Sequence, residues 1–176
     1  MISRRSILAA SGLVLVPRVV LAACGKPTQP QTPGPFFKPS SPLRSSLLEK
    51  DSPRKDTLTV TGLVLGRDCQ PLPGAVLDFW HADELGEYDN KGFRYRGHQR
   101  TDAQGRYRLE TIVPAEYPGR ARHIHVTLAA PGARPLTTQL YFPKSFGHHD
   151  DGLYSPSLEM KMPKRDEGLF DFVLIP

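Results

Sequence analysis

His123-Ile124-His125-Val126-Thr127-Leu128-Ala129 alternates along its length. Successive side chains of a β-strand point to opposite faces, so Ile124, Val126 and Leu128 turn together toward a core while His123 and His125 turn together the other way. The run is short and alternating, which is strand rather than helix patterning. Outward from it the same rhythm returns. Leu58-Thr59-Val60-Thr61-Gly62-Leu63-Val64 reads as a strand, and the turn Asp68-Cys69-Gln70-Pro71-Leu72-Pro73-Gly74 leads into another over 75–80, a hairpin-like opening. Thr101-Asp102-Ala103-Gln104-Gly105 is a turn before a strand over 106–111, and further strands are expected over 137–142 and 169–175. Six or more short strands between turns predict an all-β chain, a β-sandwich with long active-site loops over 81–100 and 143–166. No repeat of fixed period and no low-complexity segment interrupts this pattern.

The paired imidazoles invite a metal, and two phenols upstream, Tyr88 and Tyr117, narrow its identity. Imidazole suits zinc, copper, iron or nickel alike; phenolate oxygen is a hard, strongly donating anion that favours a trivalent cation. The set Tyr88, Tyr117, His123 and His125 therefore points to mononuclear non-haem Fe(III). Tyrosines of β proteins are more often packed amphipathic residues, the role expected of Tyr95, Tyr107, Tyr141 and Tyr154. His81 is read as a structural hydrogen-bonding residue and His98 as an ordinary loop histidine. His148-His149-Asp150-Asp151 lacks regular ligand spacing and reads as solvated loop charge. Arg96 and Arg122 either meet an anionic substrate or face solvent.

The chain has 176 residues, with 18 prolines, 15 glycines and two cysteines, enough for one domain with its own core. Residues 1–23 read as an export signal peptide: Arg4-Arg5 is of twin-arginine type, an apolar run follows, and Pro17 breaks it too early for a membrane span. Export places the protein in the periplasm or on the cell envelope. Leu21-Ala22-Ala23-Cys24 has the form of a lipobox, which opens membrane attachment through a lipidated Cys24; otherwise an oxidising compartment permits a disulfide between Cys24 and Cys69. Residues 24–56 read as a linker and N-terminal arm, and 57–176 as the sandwich. The formal charge of +5 falls to about +2 without the leader's Arg4, Arg5 and Arg18. That balance, with no basic stripe interleaved with aromatics, is too weak to support nucleic-acid binding, and no nucleic-acid partner is expected.

Further stretches carry a resemblance to a known family. Thr32-Pro33-Gly34-Pro35-Phe36-Phe37, Pro42-Leu43-Arg44, Phe79-Trp80-His81-Ala82-Asp83-Glu84-Leu85-Gly86-Glu87-Tyr88, Thr101-Asp102 with Gly105 and Tyr107, Tyr117-Pro118, Arg120 three residues before His123, and Gln139-Leu140-Tyr141-Phe142 together resemble the intradiol ring-cleavage dioxygenases from about residue 32 to 142. The resemblance implies Fe(III)-dependent opening of a catechol-type ring by O2 to a cis,cis-muconate-type dicarboxylic acid. It implies Tyr88 and His123 as equatorial ligands, Tyr117 and His125 as the axial pair, hydroxide completing the site, Arg120 over the substrate ring and Gln139 lining the pocket. The chain has no room for the helical dimerisation domain of catechol-type members, and its segment 117–123 is shorter than in protocatechuate dioxygenase. Catechol, protocatechuate, hydroxyquinol and larger catechols all stay open, as does a homo-oligomer. A rival of another class is a non-catalytic transthyretin-like or carboxypeptidase-regulatory-like sandwich module, which resembles residues 57–117 but gives no reason for His-x-His, Arg120 or Gln139. A cupin-like Fe(II) site would want a glutamate shortly after the histidine pair and a later strand histidine, which the downstream stretch lacks.

Overall fold

The computed structural model describes residues 25–143 and 150–176; the expected leader over 1–23, Cys24 and His148-His149 lie outside the described residues. Nine strands are described: β1 Thr57–Gly66, β2 Val76–Trp80, β3 Arg96–Arg100, β4 Arg106–Ile112, β5 His123–Ala129, β6 Leu136–Tyr141, β7 Lys161–Lys164, β8 Glu167–Leu169 and β9 Phe172–Leu174. One sheet runs β4-β1-β8-β7 with β9 also paired to β1; the other runs β3-β2-β5-β6. The all-β sandwich expected from alternation is what the chain forms.

Between the sheets lie Leu58, Val60 and Val64 of β1, Leu77 and Phe79 of β2, Leu109 of β4, Ile124, Val126 and Leu128 of β5 and Phe172 of β9, none more than 1% exposed. Each such side chain contributes roughly 1.5–3 kcal/mol of apolar transfer free energy. The three inward residues of β5 leave both histidines on the opposite, outer face of the second sheet.

The structure corrects four readings. β1 and β2 do not form a hairpin. The chain reverses tightly at 66–70, through Gly66 N–H to Gln70 O at 2.9 Å and Leu72 N–H to Val64 O at 2.8 Å, and then crosses to the other sheet. Thr101 pins the crossing, its hydroxyl accepting from Ala75 N–H and donating to Leu72 O. Burial decides this: the apolar faces of β1 and β2 meet across the core, which side-by-side pairing would prevent. The loop expected over 81–100 ends in β3, hidden in the sequence because Arg96-Gly97-His98-Gln99-Arg100 has no β-branched residue. Likewise the loop expected over 143–166 contains β7. The single strand expected over 169–175 is broken, since Phe170 O accepts the Tyr107 hydroxyl at 2.8 Å and the Asp171 carboxylate accepts Leu63 N–H at 2.8 Å.

The arm is laid along sheet edges. Gln31 N–H bonds Thr137 O on β6, Arg44 N–H bonds His98 O on β3, and Leu47 N–H bonds Glu110 O on β4, while the Leu47 side chain is fully buried. These three strands are edges, and the arm takes up backbone groups that would otherwise invite pairing with another chain. Cys69, at φ +65 in the crossing turn, is disulfide-bonded.

Candidate metal centre

Neighbouring strands align a row of side chains on the outer face of the second sheet. Trp80 of β2 stands opposite His125 of β5, which stands opposite Gln139 of β6; one step along, His123 stands opposite Tyr141. Outer faces of antiparallel sheets usually meet water, yet His123 and His125 are only 4% and 2% exposed. The arm and two loops cover them. Phe36 stacks on Tyr88 with centroids 4.4 Å apart and meets Tyr117 edge-on at 5.3 Å, Phe37 meets Trp80 edge-on, and Gly34 lies against the His125 ring.

Under this cover three donor atoms converge. The Tyr88 hydroxyl is 3.2 Å from His123 Nε2, which is 3.1 Å from His125 Nε2. His123 Nδ1 is 2.6 Å from Ala121 O, and a carbonyl only accepts, so Nδ1 carries the proton and Nε2 presents its lone pair to the cluster. The His125 ring lies flat against Trp80, centroids 4.9 Å apart and planes within 3°. Burial pushes the His123 imidazole down to about 4 and, with the neighbouring His123 and Arg120, the His125 imidazole well below its usual value. Both rings are therefore neutral near pH 7, the state in which imidazole is a ligand.

Burial also pushes the Tyr88 phenol up, against the pull of Arg120 and Arg96. A buried phenol stays protonated until a strong positive charge arrives to hold the phenolate. The oxygen that the chain brings to the two imidazoles is the Tyr88 phenol, 3.2 Å from His123 Nε2. This donor set fits a trivalent, oxygen-seeking metal such as Fe(III).

Tyr117 completes the expected set only in part. Its half-buried ring lies 6.0 Å from that of Tyr88, and its hydroxyl makes no hydrogen bond among the described residues. Pro118 and Gly119, the latter at φ +74, form a turn closed by Arg120 N–H to Tyr117 O at 2.9 Å, which returns the chain directly from Tyr117 to Arg120. Arg120 is brought in beside the cluster, with Nη2 2.6 Å from Gln139 Oε1 and 3.4 Å from the Tyr141 hydroxyl. All the expected site residues, Tyr88, Tyr117, Arg120, His123, His125 and Gln139, thus lie in one neighbourhood.

The loop bearing Tyr88 is braced against the segment bearing Tyr117. The Asp83 carboxylate accepts Leu85 N–H and Glu87 N–H, and Ala115 N–H bonds Asp83 O. Gly86, at φ +86, packs so closely that a Cβ there would come within 2.5 Å of Glu116 O. Gly86→Ala is expected to combine backbone strain with this clash and part the two phenols. It should lower metal occupancy about tenfold while costing roughly 1–3 kcal/mol of stability, as measured by iron per chain and thermal melting.

Other residues fall elsewhere than expected. Asp151 is not solvated charge but a buried partner of Arg120. Arg96 does not face solvent; it is 1% exposed, donates to the carbonyls of Asp89 and Phe36 and lies over the Tyr88 ring, 6.0 Å from its centroid. His98 is not a loop residue but belongs to β3, its ring nitrogen 2.8 Å from Ser41 O. His81 is structural, held between Ala82 O and the Thr111 hydroxyl. Tyr141 is packed, but its hydroxyl also joins the Arg120 and Gln139 network, which its two-residue offset from Gln139 could have signalled. Trp80 and Asp151 are site neighbours that the sequence does not announce. Trp80 was legible as a strand residue whose outer face was not assigned, and nothing in the spacing of Asp151 announced it.

Known proteins resemble this chain in sequence and in fold. Residues 32–160 match the family model described as Dioxygenase. The chain is 32% identical over 132 residues to catechol 1,2-dioxygenase 2 of Acinetobacter lwoffii, covering 61% of this chain and 48% of that protein. It spans about half the length of several of the curated relatives it matches. Among solved structures, the dioxygenase domain of a dioxygenase carbohydrate-binding protein fusion from Streptomyces sp. SirexAA-E is 52% identical, with a TM-score of 0.80 over 85% of this chain and 99% of that one. The 3-chlorocatechol 1,2-dioxygenase of Rhodococcus opacus 1CP is 30% identical, with a TM-score of 0.76 over 84% of this chain and 72% of that one.

Proposed function

The chain belongs to the intradiol ring-cleavage dioxygenases, and from that premise we propose that it opens a catechol-type ring between its two hydroxyl-bearing carbons with O2, yielding a cis,cis-muconate-type dicarboxylic acid. The observation that carries the reading is the convergence of the Tyr88 hydroxyl, His123 Nε2 and His125 Nε2 beneath the arm. The family generally depends on non-haem iron, and Tyr88, Tyr117, His123 and His125 are the residues that would hold it here. Ferric iron bound there would supply Lewis-acid activation of the catechol and an acceptor for its electron density.

The chain's own residues supply the rest. The Tyr117 oxygen makes no hydrogen bond among the described residues; in its phenolate form it would accept a proton from the incoming catechol and become the neutral phenol. His123 keeps its tautomer through Ala121 O, so its Nε2 needs no proton loss to act as a ligand. Arg120 offers a fixed cation to negative charge developing on the ring, a preorganised donor that costs no reorganisation during reaction. Phe36, Phe37 and Trp80 keep water from the buried imidazoles.

The catechol class is supported by the names of the relatives, catechol and chlorocatechol 1,2-dioxygenases. The visible spectrum of the ferric-reconstituted protein, with and without catechol in the absence of O2, tests the reading. A broad phenolate-to-iron band that moves to longer wavelength with catechol is expected. A protein that stays colourless after reconstitution would sink the reading.

A further inference from the structure

Asp151 lies outside the ligand set, on the segment leading out of 144–149, yet it is only 5% exposed. Its Oδ1 accepts Arg120 Nε–H at 2.9 Å and Leu153 N–H at 2.9 Å; its Oδ2 accepts Ala121 N–H at 3.0 Å. Burial pushes the carboxyl up, but Arg120 and the two backbone N–H groups more than offset it, and the net shift is downward. The residue is an anion with three donors arranged around it, and two of them come from the short segment between Tyr117 and His123.

Arg120 is held from two sides. Asp151 takes Nε, Gln139 and Tyr141 take Nη2, and Nη1 makes no hydrogen bond among the described residues. Its charge is felt at Tyr88, His123 and His125. Among the described residues Arg96 also acts on two of these, Tyr88 and His125, its guanidinium 6.0 Å from the Tyr88 ring centroid, but it is 1% exposed, held by that ring and by the Phe36 and Asp89 carbonyls that accept from it, out of reach of an entering substrate. A carboxylate entering such a site loses its hydration and recovers the cost only against a cation not already matched. Here Arg120 is already matched by a buried carboxylate.

Resting on the function proposed above, we propose that Asp151 is a positioning residue that aims the Arg120 guanidinium at the substrate and, by balancing its charge, makes the site take uncharged catechols over carboxylated ones. A catechol needs only the aimed donor. A substrate bearing a ring carboxylate adds a full permanent charge that would meet Asp151 repulsion, and Arg120, balanced by Asp151 through Nε, offers that charge little beyond the hydrogen-bond donor it also offers a catechol. The selectivity thus lies in a pair, one member beside the ring and the other behind it.

The test uses the full iron-loaded chain and its Asp151→Asn and Asp151→Glu variants. Iron content, equilibrium binding of catechol and of protocatechuate without O2, and kcat and KM for both are measured. The parent is expected to favour catechol. Asp151→Asn should keep its iron, lose about a hundredfold in kcat on catechol through the misaimed guanidinium, and shift binding preference toward protocatechuate by about tenfold. Asp151→Glu keeps the charge and moves it by one methylene, so kcat should fall while the preference is retained. A parent that favours protocatechuate, an Asp151→Asn variant with parental kcat and preference, or loss of preference in Asp151→Glu would each overturn the inference. Should Asp151→Asn fail to fold, the Glu variant and the parental preference still decide. Failure of the parent to turn over either compound refutes the proposed function itself, a result distinct from any of these.

Discussion

Tyr88→Phe is expected to leave a folded chain that retains little iron and turns over catechol at least about 10³-fold more slowly than the parent. The ring would keep its stack on Phe36 at 4.4 Å and its edge contact with Tyr117, because neither uses the hydroxyl. Only the oxygen 3.2 Å from His123 Nε2 is lost. In the metal-free protein that oxygen is a buried phenol whose ionisation is disfavoured, so its removal should cost no more than about 1 kcal/mol, the usual net worth of a hydrogen bond. Thermal melting of the iron-free variant beside its parent checks this, and iron per chain with catechol turnover checks the rest. A variant that loses turnover because it unfolds would contradict the assignment of Tyr88 as a ligand instead of a packing residue.

The largest expected effect on stability lies away from the site, at Gly62→Ala. Gly62 sits within β1 opposite Tyr107 of β4, and a Cβ there would fall 1.8 Å from Phe170 O. That carbonyl cannot easily retreat. It accepts the buried Tyr107 hydroxyl, while Phe170 N–H bonds Thr61 O and the Asp171 side chain holds Leu63 N–H. Making room for one methyl group would pull the break between β8 and β9 off the sheet and strand the Tyr107 hydroxyl, which is 3% exposed as a residue. A loss of about 3–5 kcal/mol is expected, the size of other severe core lesions. Urea denaturation of the two proteins measures it; a difference below about 1 kcal/mol would mean that the C-terminal segment yields far more readily than its hydrogen bonds suggest.

What could be read in the chain before its fold was known follows from periodicity. β1, β4, β5 and β6 carry alternating residues with one face apolar, so their existence and the side on which His123 and His125 lie were legible. Tyr88 and Tyr117 entered through chemistry and family resemblance, not periodicity. β3 was hidden because its burial comes from outside the strand: Gly97 lets the Arg44 and Leu47 side chains of the arm press to where its Cβ would be, 2.7 Å from each. The pairing partners of β1 are hidden in the sequence because a tight turn between two strands says nothing about whether they continue side by side. Asp151 was illegible for another reason. Its burial is created by Arg120, Ala121 and Leu153, contacts that exist only once the loop has been folded back over the site.

The pairing of β1 also sets the order in which this protein can be made. Thr59 aligns with Glu167 and Val64 with Phe172, both in parallel, so the central strand of one sheet waits for residues more than a hundred positions downstream. The β2–β3 and β5–β6 hairpins need only near neighbours and are able to form as soon as they are synthesised. Until 167–174 arrive, one flank of β1 stays bare, with Leu58, Val60 and Val64 lacking much of their cover. Such non-local closure slows folding to the millisecond-to-second range and leaves an aggregation-prone edge in the meantime. The nascent chain therefore passes through a stage in which a chaperone, or plain dilution, matters more to yield than the stability of the finished sandwich.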